Sequence, residues 1–211
     1  RRAPVHVAVG VQLDHVGADD GSPHGVDHRQ QLSHGEAARF AMGESGNVGR
    51  VEDVQVDREV DRAFDRRTVT GLEAAHVDHV KLTTAGELHL STLMATIGAH
   101  ARFNELLFTT GSAAAVRNQL LVRFDGPNTV AAIRGATLLR GRQHADATLV
   151  AEHAVGAGTS REVFKTVLDD ASRGVFQGRI VVCPQAQRTD AKMAAHALLL
   201  SEEAEADSKP E

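Results

Sequence analysis

Short stretches in which apolar and polar residues alternate recur along the chain from residue 71 onward. Alternation with a period of two places successive side chains on opposite faces of a strand, so each stretch predicts a half-buried strand. Turn signals separate the stretches, among them Gly111, the triplet 125–127 and Pro184. The predicted strands span residues 76–82, 87–92, 102–109, 118–124, 129–133, 137–139, 148–153, 163–168, 174–182 and 197–200.

Helical patterning is weak in the same region. No segment between residues 71 and 141 carries a long apolar stripe with the helical period of about 3.6 residues. Many short strands and few helices predict an all-β fold, either a sandwich, a barrel or a β-solenoid. The chain has no exact internal repeat, so a solenoid would be a degenerate one, and the pattern alone leaves the three architectures open.

The first 70 residues differ from the rest in their apolar content. Residues 1–70 contain two leucines and no isoleucine, whereas residues 71–211 contain sixteen leucines and all three isoleucines. The stretch 51–67 is densely charged. Near the start of the chain, Val5, Val7, Val9 and Val11 alternate with other residues as in a strand. Because few large apolar groups bury little area against the entropy of ordering the chain, we expect weak or irregular structure over much of residues 12–70. We therefore divide the chain into an irregular part, residues 1–70, and a strand-rich part, residues 71–211.

Composition and charge narrow the functional classes. Hydrophobic residues make up 42% of the 211 residues but aromatic residues only 3%, so the predicted core is built mainly from small aliphatic side chains. The formal net charge of −5 argues against a nucleic-acid partner, which would need a basic stripe. The sequence contains neither a run of about 18 apolar residues nor a signal segment after Arg1-Arg2, so no membrane partner is expected. The single cysteine, Cys183, excludes an intramolecular disulfide and fits a reducing compartment, which we take to be the cytoplasm.

Three histidines, His24, His28 and His34, cluster in the first part of the chain. A histidine pair four residues apart on a helix can chelate zinc. However, Pro23 and Gly25 break any helix here, and no HExxH glutamate is present. We interpret these histidines as solvated loop residues and predict no metal site. A metal-binding β-helix or cupin-like enzyme that uses the clustered histidines remains the alternative from another functional class.

A second group, His76, Asp78 and His79, lies on a predicted strand. His76 and Asp78 share a strand face and His79 takes the other, which indicates an ordinary His–Asp pair rather than three converging ligands.

Ser160, His153 and Asp169 have the residue types of a catalytic triad. Ser160 lacks the GxSxG elbow, and the run 159–162 is interpreted as a turn or capping element. Residues 156–160 lack the lysine of a P-loop, so any ATP chemistry is assigned to a partner. We predict no catalytic residues in this chain.

Cys183 is the single thiolate candidate. An iron–sulfur cluster typically needs four thiolates, so one cysteine cannot hold a cluster alone. Cys183 either contributes one ligand at a subunit interface or is a half-buried structural thiol. The acidic run 202–207 is predicted to be a solvated turn.

Several segments of the second part resemble the SufB/SufD family of iron–sulfur cluster assembly scaffolds, on its SufD-like side. The most specific are GTSREVFKTVLDDASRGVFQGRIVV at 158–182 and AQRTDAKMAAHALLLSEEAEADSKPE at 186–211, preceded by LLRGRQHAD at 138–146. Weaker matches, HVKL at 79–82 and ARFNELLFTTG at 101–111, extend the resemblance to about residue 77. Residues 1–66 match the family poorly, and their composition is that expected of a mis-framed segment.

The resemblance implies a right-handed parallel β-helix and a non-catalytic scaffold subunit that works with SufB-like and SufC-like (ATPase) partners. An iron–sulfur cluster would then be handled transiently by the complex, with none bound by this chain alone. The family usually continues beyond the position of Glu211 into a segment that contains cysteine and histidine. We therefore expect the chain to be a fragment, with a truncated, non-functional product as a further alternative.

Overall fold

The computed structural model describes residues 5–8, 49–57, 62–70 and 73–211. All regular elements in these residues are β-strands, and all the strand pairs that they form are parallel. The strands are β1 (Val5–Ala8), β2 (Gly49–Asp57), β3 (Arg62–Val69), β4 (His76–Thr83), β5 (Leu88–Ile97), β6 (Arg102–Thr109), β7 (Ala115–Phe124), β8 (Val130–Leu139), β9 (His144–His153), β10 (Thr159–Leu168), β11 (Arg173–Val182), β12 (Asp190–Leu199) and β13 (Glu205–Pro210).

The strands form two parallel sheets. Sheet A has the order β1-β2-β4-β6-β8-β10-β12, and sheet B has the order β3-β5-β7-β9-β11-β13. From β2 onward the chain alternates between the sheets, so each coil gives one strand to each sheet. In the pairs formed from β2 onward, partner residues lie 26 to 32 positions apart in the chain, as in His76 with Arg102 and Arg173 with Glu205. The predicted all-β parallel β-helix is confirmed.

The coils repeat in backbone conformation rather than in residue type. At the corner where the chain passes from sheet B to sheet A, successive coils place a residue with positive φ. These residues are Ala74, His100, Asn128, Ala157 and Arg188. Hydrogen bonds join neighbouring corners: the amide of Ala74 donates to the carbonyl of Ala99 at 2.7 Å, and the amide of His100 donates to that of Pro127 at 2.9 Å. Because left-handed backbone costs a non-glycine residue about 1–2 kcal/mol, contacts between coils rather than local preference impose this corner. A repeat of this kind leaves little trace in the sequence.

Three details of the predicted strands and turns are corrected. The stretches 129–133 and 137–139 belong to one continuous strand, β8, because β6 and β10 pair with it on both sides. The run 159–162, predicted as a turn or cap, opens strand β10, because it pairs in register with both β8 and β12. The acidic run 202–207 is a turn only at its start, since β13 begins at Glu205 and pairs with β11.

Within residues 12–70, two segments continue the sheets. Strand β2 pairs with β4, and strand β3 pairs with β5. The short strand β1 includes Val5 and Val7 of the alternating valines, and Val9 and Val11 lie outside the described residues. The rest of the expected irregular region also lies outside them, and the division at residue 70 stays a prediction.

Inward-facing side chains fill the lumen between the two sheets. Phe103, Phe124, Ile97 and Ile133 are completely buried there. Full burial of side chains of this size contributes about 1.5–3 kcal/mol each, so the stacked coils supply the core that one coil alone could not.

Glycines in the lumen make room for large side chains of the next coil. The rings of Phe164 and Phe176 stack with centroids 4.2 Å apart. Gly135 is the register partner of Phe164, and a Cβ placed on Gly135 would lie 2.2 Å from Cδ1 of that ring. The lumen is therefore close-packed at these positions, as protein interiors generally are.

Candidate functional site

The histidine cluster of His24, His28 and His34 lies outside the described residues. Among the residues that the structure describes, no group of three or more His, Cys, Asp or Glu side chains is placed to hold a metal ion. The described residues also contain no helix long and apolar enough to cross a membrane.

The His76–Asp78 pair lies on the outer face of sheet A. Nε2 of His76 is 3.3 Å from Oδ1 of Asp78, so the two side chains share a strand face, as the alternation predicts. Asn104, one coil further along, donates to Oδ1 of Asp78 at 2.6 Å and lies 3.1 Å from Nε2 of His76. The sequence pattern did not identify Asn104, because its role depends on the register between coils.

A set of polar side chains points inward in the first described coils, and we call this set the polar lumen. Alternation placed His79 on the face opposite His76, but it did not indicate that this face is the interior. The polar lumen consists of Asp65, His79, Lys81, Ser91, Glu105 and Asn118.

The polar lumen is held together by pairs from neighbouring coils. Nδ1 of His79 lies 2.5 Å from Oε2 of Glu105, and both side chains are buried. Ser91 donates to Oδ1 of Asn118 at 2.5 Å, and Nζ of Lys81 lies 3.5 Å from Oδ2 of Asp65. Burying charged groups is costly unless they are paired, and this pairing explains how the fold tolerates them. The cavity that they line measures about 10 Å³, room for about one water molecule and far too small for an organic substrate.

Ser160 and His153 do meet, although not as a catalytic pair. Nε2 of His153 lies 3.0 Å from Oγ of Ser160, both residues are fully buried, and the imidazole stacks on Phe124 with centroids 4.3 Å apart. Burial lowers the pKa of His153. Asp169 lies elsewhere and accepts a hydrogen bond from Ser201, which lowers the pKa of Asp169. Ser160 has no access to solvent, and Asp169 pairs with Ser201 rather than with His153, so these three residues form no triad.

Glu162 lies two residues beyond Ser160 on β10 and is also fully buried. Its carboxyl oxygens make no direct hydrogen bond to other groups in the described part of the chain. Burial raises the pKa of Glu162, while the nearby Ser160 and Arg161 act in the opposite direction. Burial in the lumen therefore shifts this carboxyl group toward its neutral form relative to a solvent-exposed glutamate.

Cys183 follows directly after β11 and is partly buried. Its thiol donates to Oε1 of Glu152 at 3.6 Å, and the same carboxylate accepts from Arg123 at 2.6 Å. Cys183 is the single cysteine of the sequence, and an iron–sulfur cluster typically needs four thiolates. The described surroundings of Cys183 therefore fit a structural thiol better than a cluster ligand.

The last coil carries a run of three exposed leucines. Leu198, Leu199 and Leu200 are 56%, 48% and 58% exposed, whereas inward leucines of earlier coils such as Leu149 are almost completely buried. In the structure as described, β12 and β13 each pair on one side only.

Comparison with known proteins finds a matching family model and similar sequences. The family model described as the SUF system FeS cluster assembly, SufBD core domain, matches residues 40–211. The iron–sulfur cluster assembly protein SufD of Escherichia coli (strain K12) is 29% identical over 151 residues, which are 69% of this chain and 35% of that protein. An iron–sulfur cluster assembly SufBD family protein of Synechocystis sp. is 27% identical over 143 residues, 66% of this chain and 31% of that protein. The chain thus spans about a third of the length of these relatives.

The family match also revises one expectation from the sequence. Residues 40–66, which include strand β2 and most of β3, were predicted to match poorly but fall inside the matched region. The match therefore includes both strands of each coil from β2 to β13. The chain belongs to the SufBD core-domain family of the SUF iron–sulfur cluster assembly system.

Proposed function

We propose that the chain acts as a non-catalytic scaffold subunit of a SUF iron–sulfur cluster assembly complex in the cytoplasm, together with SufB-like and SufC-like subunits. The observation that carries the proposal is the SufBD core match over residues 40–211, on a chain whose strands stack in two parallel sheets.

The geometry supports a positional role rather than a chemical one. Paired charges line the polar lumen, and its cavity is of water size. The Ser160–His153 contact is sealed from solvent. By contrast, each sheet is joined strand to strand by parallel pairing, so a load or contact at one coil is passed to its neighbours through backbone hydrogen bonds.

In this proposal the chemistry belongs to the complex. An iron–sulfur cluster is its cargo, and the ATP hydrolysis that drives rearrangement belongs to the SufC-like subunit. The single thiol, Cys183, donates to a carboxylate in this structure and is not the site that we assign to the cluster.

Co-purification tests the proposal. The chain carrying an affinity tag is co-expressed with the SufB-like and SufC-like subunits of its own organism. The captured proteins are then identified and quantified by mass spectrometry. We expect both subunits, or the SufB-like subunit alone, in stoichiometric amounts. A tagged parallel β-helix protein of another family is the control and should capture neither.

Capture of neither subunit by a chain that melts cooperatively would contradict the scaffold role. Turnover of ATP by the isolated chain, or a stable cluster spectrum after anaerobic incubation of the isolated chain with iron and sulfide, would contradict the assignment of the chemistry to its partners.

A further inference from the structure

The outer faces of the two sheets differ in how many of their cations are paired with carboxylates. On sheet B, cations pair with carboxylates of a neighbouring coil: Nη1 of Arg117 lies 2.6 Å from Oδ2 of Asp146, and Nη1 of Arg123 lies 2.6 Å from Oε1 of Glu152. Arg173 and Glu205 continue this pattern at 3.5 Å. Most of the outward cations on β7 to β13 of sheet B therefore have a carboxylate partner.

The outer face of sheet A carries an excess of positive charge. On strands β4 to β12 its cations outnumber its carboxylates, although the whole chain has a formal net charge of −5. Arg161 pairs with Asp190, but Arg134 and Lys165, both exposed, form no ion pair with any residue that the structure describes. The outward cations are Arg102, Arg134, Arg161, Lys165 and Lys192, and the outward carboxylates are Asp78 and Asp190.

Apolar side chains form two short rows on the same face, beside these cations. Val80 pairs in register with Leu106, and Leu82 pairs with Phe108, so four apolar residues of β4 and β6 lie side by side facing outward. Leu106 is 39% exposed. We call this group the apolar rows.

The unpaired cations border the apolar rows on the next two coils. Arg134 on β8 is the register partner of Leu106, and Lys165 on β10 is the register partner of Ala136, which in turn lies beside Phe108. An apolar centre with unpaired positive charge along one side is complementary to a ligand that has an apolar stripe and an acidic flank.

We propose that the outer face of sheet A is a docking surface for an acidic amphipathic helix of a partner protein. Covering a sheet with a helix is the usual way in which the outer face of a parallel sheet is buried. The helix would place its apolar stripe on the apolar rows and its acidic flank along Arg134 and Lys165.

Charge favours this occupant over two others. A second copy docked through the same face would bring Arg134 and Lys165 near their own equivalents, which is repulsive. A flat anionic membrane would approach the whole of this face, including Asp78 and Asp190, whereas a helix covers only a strip of it and can lie along Arg134 and Lys165.

Fluorescence anisotropy with a synthetic peptide tests the proposal. The probe is a helical peptide of about 15 residues with leucine on one stripe and glutamate on both flanks. A matched peptide with lysine in place of glutamate is the first control. We expect the glutamate peptide to bind the full chain with an affinity that falls as salt increases, and the lysine peptide to bind much more weakly.

Charge reversal locates the binding. The double variant Arg134→Glu with Lys165→Glu should weaken glutamate-peptide binding by about ten-fold or more, since two exposed attractions become repulsions. The double variant Arg173→Glu with Arg179→Glu makes the same change of charge on sheet B and should leave binding within about two-fold of wild type. Leu106→Ser should weaken binding through lost apolar contact, and thermal melts verify that each variant is folded.

Three results would overturn the proposal. The first is equal binding of both peptides, or no loss with the sheet A variant. The second is binding to vesicles of phosphatidylglycerol and phosphatidylcholine in the absence of any peptide binding. The third is a dimer, measured by light scattering, that the sheet A charge reversal dissociates.

Discussion

Replacing Gly135 with alanine tests whether the lumen is packed as tightly as the register between coils implies. Gly135 has no positive φ, so an alanine meets no backbone strain there. Its new Cβ would lie 2.2 Å from Cδ1 of Phe164, a distance that real contacts do not reach. Phe164 is buried and stacked on Phe176, so it cannot move without disturbing that stack.

The expected cost follows from three contributions. Overpacking a core costs about 1–3 kcal/mol, and a disturbed aromatic stack adds about 0.5–1.5 kcal/mol. Alanine recovers about 0.5–1 kcal/mol, because glycine is entropically unfavourable in a strand. The net loss is about 2 kcal/mol, and the melting temperature should fall by about 4–8 °C for a chain of this size.

A double-mutant cycle in urea separates the clash from other effects. Phe164→Leu removes the ring that the new methyl group strikes, so Gly135→Ala should cost less in the Phe164→Leu background than in wild type. We expect the two changes to be coupled by about 1 kcal/mol. If the double variant loses the sum of the two single losses within about 0.3 kcal/mol, the clash is not the cause and the reasoning about the lumen is wrong.

Three further predictions concern stability, each measured by urea unfolding. Phe124→Ala should cost about 3–5 kcal/mol, because the ring is fully buried and stacked on His153; a loss below about 1 kcal/mol would contradict that packing. Burial raises the pKa of Glu162 in the folded chain above the ordinary value of 4.5. Between these two pKa values the folded chain holds a proton that the unfolded chain has released, so the free energy of unfolding falls as pH rises across this interval. Glu162→Gln should remove this decline and gain stability relative to wild type as pH rises, whereas a difference constant with pH would refute a buried neutral carboxyl. Asp190→Asn should leave the urea midpoint almost unchanged, because its ion pair with Arg161 is exposed, and a clear fall in the midpoint would show that the surface pair is structural.

The sequence supports the architecture because alternation survives wherever a strand has one face in the lumen. The stretches 102–109 and 76–82 coincide with β6 and β4 almost to the residue. The run 159–162 was missed as strand because Thr, Ser and Glu resemble a helix cap, and only pairing with β8 and β12 overrides that local preference.

The polar lumen could not be predicted, for a different reason. The alternation along β5 shows that His89 lies on one face of the strand and that Leu88 and Leu90 lie on the other. Polarity alone would assign His89 to the solvent-exposed face. In the structure His89 is inward and buried. The His79–Glu105 contact joins residues 26 positions apart, and no exact repeat reveals that spacing. Register between coils is set by backbone corners such as Ala74 and His100, whose residue types carry no common signal.

The same limit applies to the sheet A docking surface. Arg134 and Lys165 look like ordinary solvated cations in the sequence. Their position beside the apolar rows depends on the pairing of β4, β6, β8 and β10. The neighbours of such residues are therefore known only once the stacking of the coils is known.

The central claim is that this SufBD-family chain works as a scaffold within an assembly complex, and co-purification tests it most directly. The tagged chain is co-expressed with the SufB-like and SufC-like subunits of its own organism, and the captured mass is measured by native mass spectrometry. The account predicts a defined complex that contains at least the SufB-like subunit. A folded chain that elutes alone under the same conditions would contradict it.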